Sequence, residues 1–245
     1  MKLLCLADLH GDPESLQAIL DQAGPVDLVL VGGDITHFAT PNAAESMIRL
    51  LWERQPRVLA VAGNCDSPRI DQRLAALGVS LFRRGACHGN VAFCGVSAVP
   101  PWHGRTHEMS ETLLAEALEQ SRREALEQWQ RVRPAETAAD SGQTPQEVLL
   151  THVPPHHTSL DRTRSGQHIG STAVREFIVR RRPALAVCGH VHESPGTTQL
   201  EGCHVVNCGP AFDGCYALAA LNPDVRIELR QCPVPGRTRG RSRLT

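Results

Sequence analysis

The chain has 245 residues, 41% of them apolar, which is enough for one α/β domain with a full hydrophobic core. Its formal net charge of −1 selects neither for nor against an acidic partner, and an aromatic content of 4% argues against a base-stacking surface as the organising feature. No apolar run approaches the ~20 residues that span a bilayer, so no membrane association is expected.

Met1 to Asp8 holds one basic residue and a short apolar run that ends in charge, the pattern of a buried first strand rather than a secretory signal. A cytoplasmic location is expected. The nine cysteines are scattered, as Cys5, Cys94 and Cys188 are, and no CxxC pair occurs; they read as small core residues in a reducing compartment.

Lys2–Ala7 is the first strand. Pro13–Ala23 has helical spacing, with Leu16, Ile19 and Leu20 on one face. Asp27–Val31 is a second strand, stopped by Gly32-Gly33-Asp34. Asn42–Trp52 reads as a helix and Arg57–Ala62 as a third strand, ending in Gly63-Asn64. This β-α-β-α-β rhythm implies parallel strands with crossover helices. Further strands are expected near Val79–Phe82 and Val91–Gly95. Glu111–Arg131 is a long charged helix with Leu114, Ala117, Leu118, Ala125 and Trp129 among its apolar positions. Arg133–Gln146 reads as a loop, followed by strand Glu147–Leu150, helix Thr172–Arg181 and strand Leu185–Cys188. Strands near His204–Asn207 and Tyr216–Ala220 close the pattern. Residues 1–232 form the expected domain, and 233–245, with Arg237, Arg239, Arg241 and Arg243, a basic tail.

The polar residues fall where these strands stop. Asp8 and His10, Asp34, Asn64, His152, and His190 with His192 follow five apolar strands. In open α/β sheets, ligands collect at the carboxyl ends of strands. Gathering so many carboxylates and imidazoles is costly unless a cation joins them. The set mixes oxygen with imidazole nitrogen and lacks thiolate, which favours Mn, Fe, Zn or Ni over a sulfur-type zinc site.

Asp8-Leu9-His10, Gly32-Gly33-Asp34, Gly63-Asn64-Cys65-Asp66, Thr151-His152 and Gly189-His190-Val191-His192 together resemble the ordered motifs of calcineurin-like metallophosphoesterases. The resemblance runs from residue 3 to about 220. It implies a four-layer α/β/β/α sandwich of two mixed sheets. It also implies two divalent ions, Mn first, with Fe, Zn or Ni as alternatives. Asp8, His10 and His192 would hold one ion, Asn64, His152 and His190 the other, and Asp34 would bridge them. The implied activity is phosphoester hydrolysis by a hydroxide activated between the two ions, without a covalent enzyme intermediate.

The third motif departs from the family pattern. It commonly reads Gly-Asn-His-Asp or Gly-Asn-His-Glu, with the His protonating the leaving group, and here that position is Cys65. A thiol is a poor match for that role, so a phosphodiester is the preferred substrate. The expected partner is a small phosphodiester or nucleotide, with nucleic acid as an alternative and no implied oligomeric state. Rival readings are a nuclease that also uses the basic tail, and a weakly active or inactive metal-binding scaffold. Asp34 and Asn64 are the catalytic candidates within the metal set. Asp66 reads as a residue that orients a ligand or caps a turn. His168 lies just before a helix with Ser171 as its N-cap and is the candidate replacement for the missing acid; that helix start offers a place for phosphate. His37, His156 and His157, and the loop carrying Trp102, His103 and Arg105, are further candidates for lining the cleft.

Overall fold

A computed structural model describes residues 1–55, 57–102, 104, 107–132, 144–221 and 224–234. His103, Arg105, most of the expected 133–146 loop and the arginine-rich tail lie outside these residues.

The first sheet has the order β11-β10-β1-β2-β3, with β1 at Lys2–Leu6, β2 at Leu28–Gly32, β3 at Val58–Val61, β10 at Cys215–Leu221 and β11 at Val225–Gln231. β1, β2 and β3 run parallel, while β10 and β11 are antiparallel to their neighbours. The second sheet has the order β4-β5-β6-β7-β9-β8. Its strands are β4 (Ala86–His88), β5 (Val91–Val96), β6 (Gln146–Thr151), β7 (Leu185–Cys188), β8 (Gly196–Leu200) and β9 (Cys203–Asn207). β5, β6, β7 and β9 are parallel, and β4 and β8 are antiparallel edges.

The helices are α1 (Pro13–Ala23), α2 (Pro41–Trp52), α3 (Pro68–Ala76), α4 (Glu111–Val132) and α5 (Thr172–Arg181). The first three open on one local device: Asp12, Thr40 or Ser67 stands at the cap and a proline follows in the first turn. Proline's fixed φ suits that turn, and its missing N–H would have had no helical partner there. No helix among the described residues is long and apolar enough to cross a membrane.

Apolar side chains sort these elements into four layers. Leu16, Ile19, Ile48 and Ile70 pack α1, α2 and α3 on the outer face of the first sheet. Leu114, Leu118, Val174 and Phe177 pack α4 and α5 on the outer face of the second. Between the sheets, Leu3, Cys5, Leu30 and Val61 meet Phe93, Val148, Leu150 and Val187. β2 is buried at all five positions because helices cover one face and the other sheet covers the opposite one.

The Val79–Phe82 expectation needs correcting. Ser80 bridges to Ala60 of β3 and Phe82 to Gly95 of β5, so the segment passes from one sheet to the other and forms a strand in neither. The elements α3, β4, β8 and β11 go beyond the sequence expectation. α3 carries few apolar residues, and only Ile70 and Leu74 anchor its buried face among hydrophobic side chains.

Candidate metal centre

Both sheets end on one rim. β1, β2 and β3 deliver Asp8, His10, Asp34 and Asn64 from the first sheet, and β6 and β7 deliver His152, His190 and His192 from the second. The backbones that carry these residues leave the strand conformation abruptly. Asp8, His10, Asp34 and His190 all have positive φ, at 56°, 48°, 47° and 68°. Non-glycine residues rarely hold this conformation unless their surroundings enforce it, and such strain clusters at functional sites. The enforcing contacts are visible: Asp8 N–H donates to Gly33 C=O at 3.0 Å and His10 N–H to Asp34 C=O at 2.9 Å.

Gly33 is required by approach. A Cβ there would stand 2.5 Å from His152 Nδ1, and the residue has φ +85°. That closeness lets His152 reach across from the second sheet, with Nδ1 2.8 Å from Gly32 C=O and Nε2 3.0 Å from Asn64 Oδ1. Gly63 serves Asp34 in the same way, because a Cβ would collide with the Asp34 carboxylate.

The carboxylate of Asp34 lies between the two halves of the site. Its Oδ2 is 3.7 Å from His10 Nε2, and its Oδ1 is 3.5 Å from His152 Nε2. Oδ1 also accepts from Cys65 N–H at 2.7 Å. The ligand atoms of Asp8, His10 and His192 all lie within 4.8 Å of one another, as do those of Asp8, Asp34 and His152. The His152 and His190 rings are 5.0 Å apart between centroids.

Two observations test whether these residues fit a cation. Buried His10 Nε2 has no hydrogen-bond partner although two carboxylates stand beside it, a costly state for a polar atom. The titration directions of His190, His10 and Asp8 also suit metal binding, which needs neutral imidazole and ionised carboxylate. Burial, reinforced by the neighbouring charge of His152, pushes His190 down to about 3. Burial also lowers His10, against the pull of Asp34 and Asp8. For Asp8 burial acts upward, but the contact with His192 and the charges of His192, His152 and His10 outweigh it and hold the carboxyl at about 2. The donor set therefore fits divalent cations.

Asp66 is wholly buried and supports the rim from behind. Its carboxylate accepts from Ile35 N–H, Thr36 N–H, Thr36 Oγ1 and Gly63 N–H at 2.9–3.0 Å, tying the Asp34 turn to the Asn64 turn. Of the two roles expected for it, orienting a ligand or capping a turn, these bonds are of the turn-capping kind. The Cys65 thiol lies 3.4 Å from Asn64 Nδ2, and burial, then the Asp34 charge, raises its pKa far above the ordinary range.

His168 is held by Asp161. Its Nδ1 is 2.7 Å from Oδ1 of that fully buried carboxylate, which also accepts from the N–H groups of His157, Thr158 and Gly170. The His157 and His168 ring centroids are 4.6 Å apart, and those of His156 and His168 6.0 Å. Ser171 caps α5 as expected, but the first N–H groups of that helix, the ones expected to meet phosphate, are taken. Glu111 of α4 accepts from Thr172 N–H, Ala173 N–H and Ser171 Oγ, and Val174 N–H donates to Ser171 Oγ, so those donors are already satisfied within the protein.

His37 stands at the rim, with Nδ1 3.2 Å from His10 Nδ1. Trp102, at the edge of its loop, is 46% exposed, and its N–H donates to Glu108. Two residues escaped the sequence reading. Phe212 packs its ring 5.2 Å from His10 and 5.3 Å from His192, and nothing in its sequence context marks it. Asn207 is fully buried at the end of β9 and donates to Val191 C=O at 2.9 Å, steadying the loop that carries His190 and His192. Its signal was available, since it too is a polar residue ending an apolar strand.

A sequence profile of the family described as calcineurin-like phosphoesterase matches residues 1–194. The chain belongs to the calcineurin-like phosphoesterases. This makes it a member of a family of metal-dependent phosphoester hydrolases, which the donor set above suits. Among curated relatives of this phosphoesterase, protein MJ1162 of Methanocaldococcus jannaschii is 25% identical over 217 residues, covering 86% of this chain and 88% of its own. The solved structure of TT1561 from Thermus thermophilus is 17% identical, covers 94% of this chain and 98% of its own, and superposes with a TM-score of 0.69. A dimetal phosphatase from Danio rerio is 14% identical, with coverages of 94% and 96% and a TM-score of 0.57. At these identities the two structures establish a shared fold.

Proposed function

We propose that this calcineurin-like phosphoesterase is a phosphodiesterase of the cytoplasm, acting on small or nucleotide-like diesters with two divalent ions, Mn foremost. The observation that carries the metal part is the position of Asp34, with one carboxylate oxygen toward His10 and the other toward His152. Asp8, His10 and His192 would hold one ion and Asn64, His152 and His190 the second, with Asp34 common to both. Two ions bound there supply an activated water nucleophile and neutralise charge on the phosphoryl oxygens. Asp66 fixes the two turns from which Asp34 and Asn64 project, so the residues need little rearrangement during the reaction. All nine cysteines are free thiols, which supports a reducing compartment.

Cys65 supports the diester preference. A thiol with so high a pKa is a weak acid, poorly suited to protonating a departing alkoxide. Diesters with stable leaving groups need that proton least. His168 is the residue we assign to proton delivery where it is needed. Asp161 holds Nδ1, so Nε2 is the ring atom left for a substrate, in the manner of a carboxylate that fixes an imidazole's tautomer.

The test is protein reloaded with Mn and assayed on an activated aryl phosphodiester, its monoester and a linear dinucleotide. The diester is expected to be cut faster than the monoester; a monoester preference would defeat the reading. Cys65→His should raise turnover of esters with poor leaving groups. His168→Ala should lower dinucleotide turnover more than aryl diester turnover, and equal losses would remove it from acid catalysis.

A further inference from the structure

One group of metal-ligating side chains shares a single residue with the centre just described and otherwise lies outside it. The ligand atoms of His10, His37 and Cys65 lie within 4.8 Å of one another. Of the three such groups among the described residues, this one contains sulfur. Two imidazoles and a thiolate suit soft or borderline ions, whereas the carboxylates of Asp8 and Asp34 suit harder ones. The group is also reachable. Cys65 is buried at its base and His10 half-buried, but His37 is exposed and opens it to solvent.

His10 belongs to both groups. Its Nδ1 faces His37 Nδ1 at 3.2 Å, and its Nε2 faces Asp34 Oδ2 at 3.7 Å. A neutral imidazole has one free lone pair, so a single ring binds an ion on one side or the other but not on both. We propose that His10, His37 and Cys65 form a thiolate site for a soft divalent ion such as zinc or cadmium, and that filling it withdraws His10 from the sulfur-free, carboxylate-bearing centre. As the ion binds, the Cys65 S–H bond breaks, sulfur donates its electron pair to the metal, and the proton passes to solvent; nothing is oxidised or reduced. Excess soft metal then acts as a brake on a centre loaded with harder ions.

The test uses the full chain stripped of metal and titrated with cadmium, following the ultraviolet thiolate-to-cadmium charge-transfer band. The expected result is a saturable band worth one thiolate per chain. Cys65→Ser should abolish it, and His37→Ala, which removes a direct ligand, should raise the cadmium needed by at least the ~10–100-fold typical of losing an outer-shell partner. Preloading with Mn should shift the cadmium titration to higher concentration. No band in the parent chain, or one of equal size in Cys65→Ser, would overturn the site. Because His37 is exposed, its variant is the safeguard should Cys65→Ser fold poorly, and a titration unchanged in His37→Ala would equally overturn it. A titration indifferent to Mn would overturn the competition for His10. The readout needs no turnover, so it stands or falls separately from the phosphodiesterase reading.

Discussion

His152 Nε2 lies 3.0 Å from Asn64 Oδ1, although the two residues are 88 positions apart and follow strands of different sheets. The contact joins the carboxyl ends of β3 and β6, and Asp34 sits against the same imidazole at 3.5 Å. Substitutions around this junction should disturb metal binding, backbone strain and buried hydrogen bonding in separable ways.

Asp34→Asn keeps the shape of the side chain but removes the charge facing both His10 and His152. Mn uptake should fall at both positions, and activity by more than the ~10–100-fold typical of losing an outer-shell partner. His10→Ala should also impair turnover. Metal content by inductively coupled plasma analysis, read beside initial rates, checks this; rates within twofold of the parent in both variants would contradict the assignment.

Gly33→Ala places a methyl group against His152 and forces a non-glycine residue to φ +85°. The left-handed backbone alone costs roughly 1–2 kcal/mol, and relief of the clash must displace the imidazole. Thermal unfolding should show a lower midpoint, and Mn should restore less stability to the variant than to the parent.

Asp66→Ala leaves the N–H groups of Ile35, Thr36 and Gly63 without their buried acceptor. At about 1–3 kcal/mol per orphaned donor, the loss should reach several kcal/mol. Urea denaturation measures it directly, and a change below about 1 kcal/mol would show that Asp66 does not carry the two turns.

Metal affinity should fall on acidification. Burial lowers the His192 pKa, but the contact with Asp8 and its charge outweigh that and raise it above 6.5. An imidazolium has no lone pair for a metal, so binding is unhindered above the raised pKa and weakens as pH drops through it. His190, at about 3, adds nothing until far lower pH. Calorimetric Mn titrations between about pH 5.5 and 8.5 should show falling affinity with proton uptake by the free protein. His192→Asn should flatten that dependence, and a flat profile in the parent would refute it.

The seven ligand-type residues were legible because they stand where five apolar strands stop, and polar residues gathered at such places have a reason to be there. The inner strands were legible for the same cause: β2 is buried on both faces and reads as unbroken hydrophobicity. Edge and surface elements were harder. β11 alternates Val225, Ile227 and Leu229 with charged residues on a half-buried edge, a weak signal beside a polar tail. What no periodicity reveals is cross-sheet contact. Phe212 against His10, and Glu111 against the start of α5, depend on elements brought together only by folding. The second of these removed the phosphate role expected of that helix.

Because the first sheet carries Asp8, His10, Asp34 and Asn64 and the second carries His152, His190 and His192, an ion held by residues of both would act as a rivet through the interior seam. Any motion that slides one sheet over the other would first have to break that coordination. At free metal a hundredfold above its dissociation constant, one such ion adds about 2.7 kcal/mol to the native state. Amide hydrogens of β2 and β6, the strands facing each other across that seam, would therefore exchange more slowly in loaded protein than in stripped protein. A chelator would loosen the middle of the molecule along with its rim.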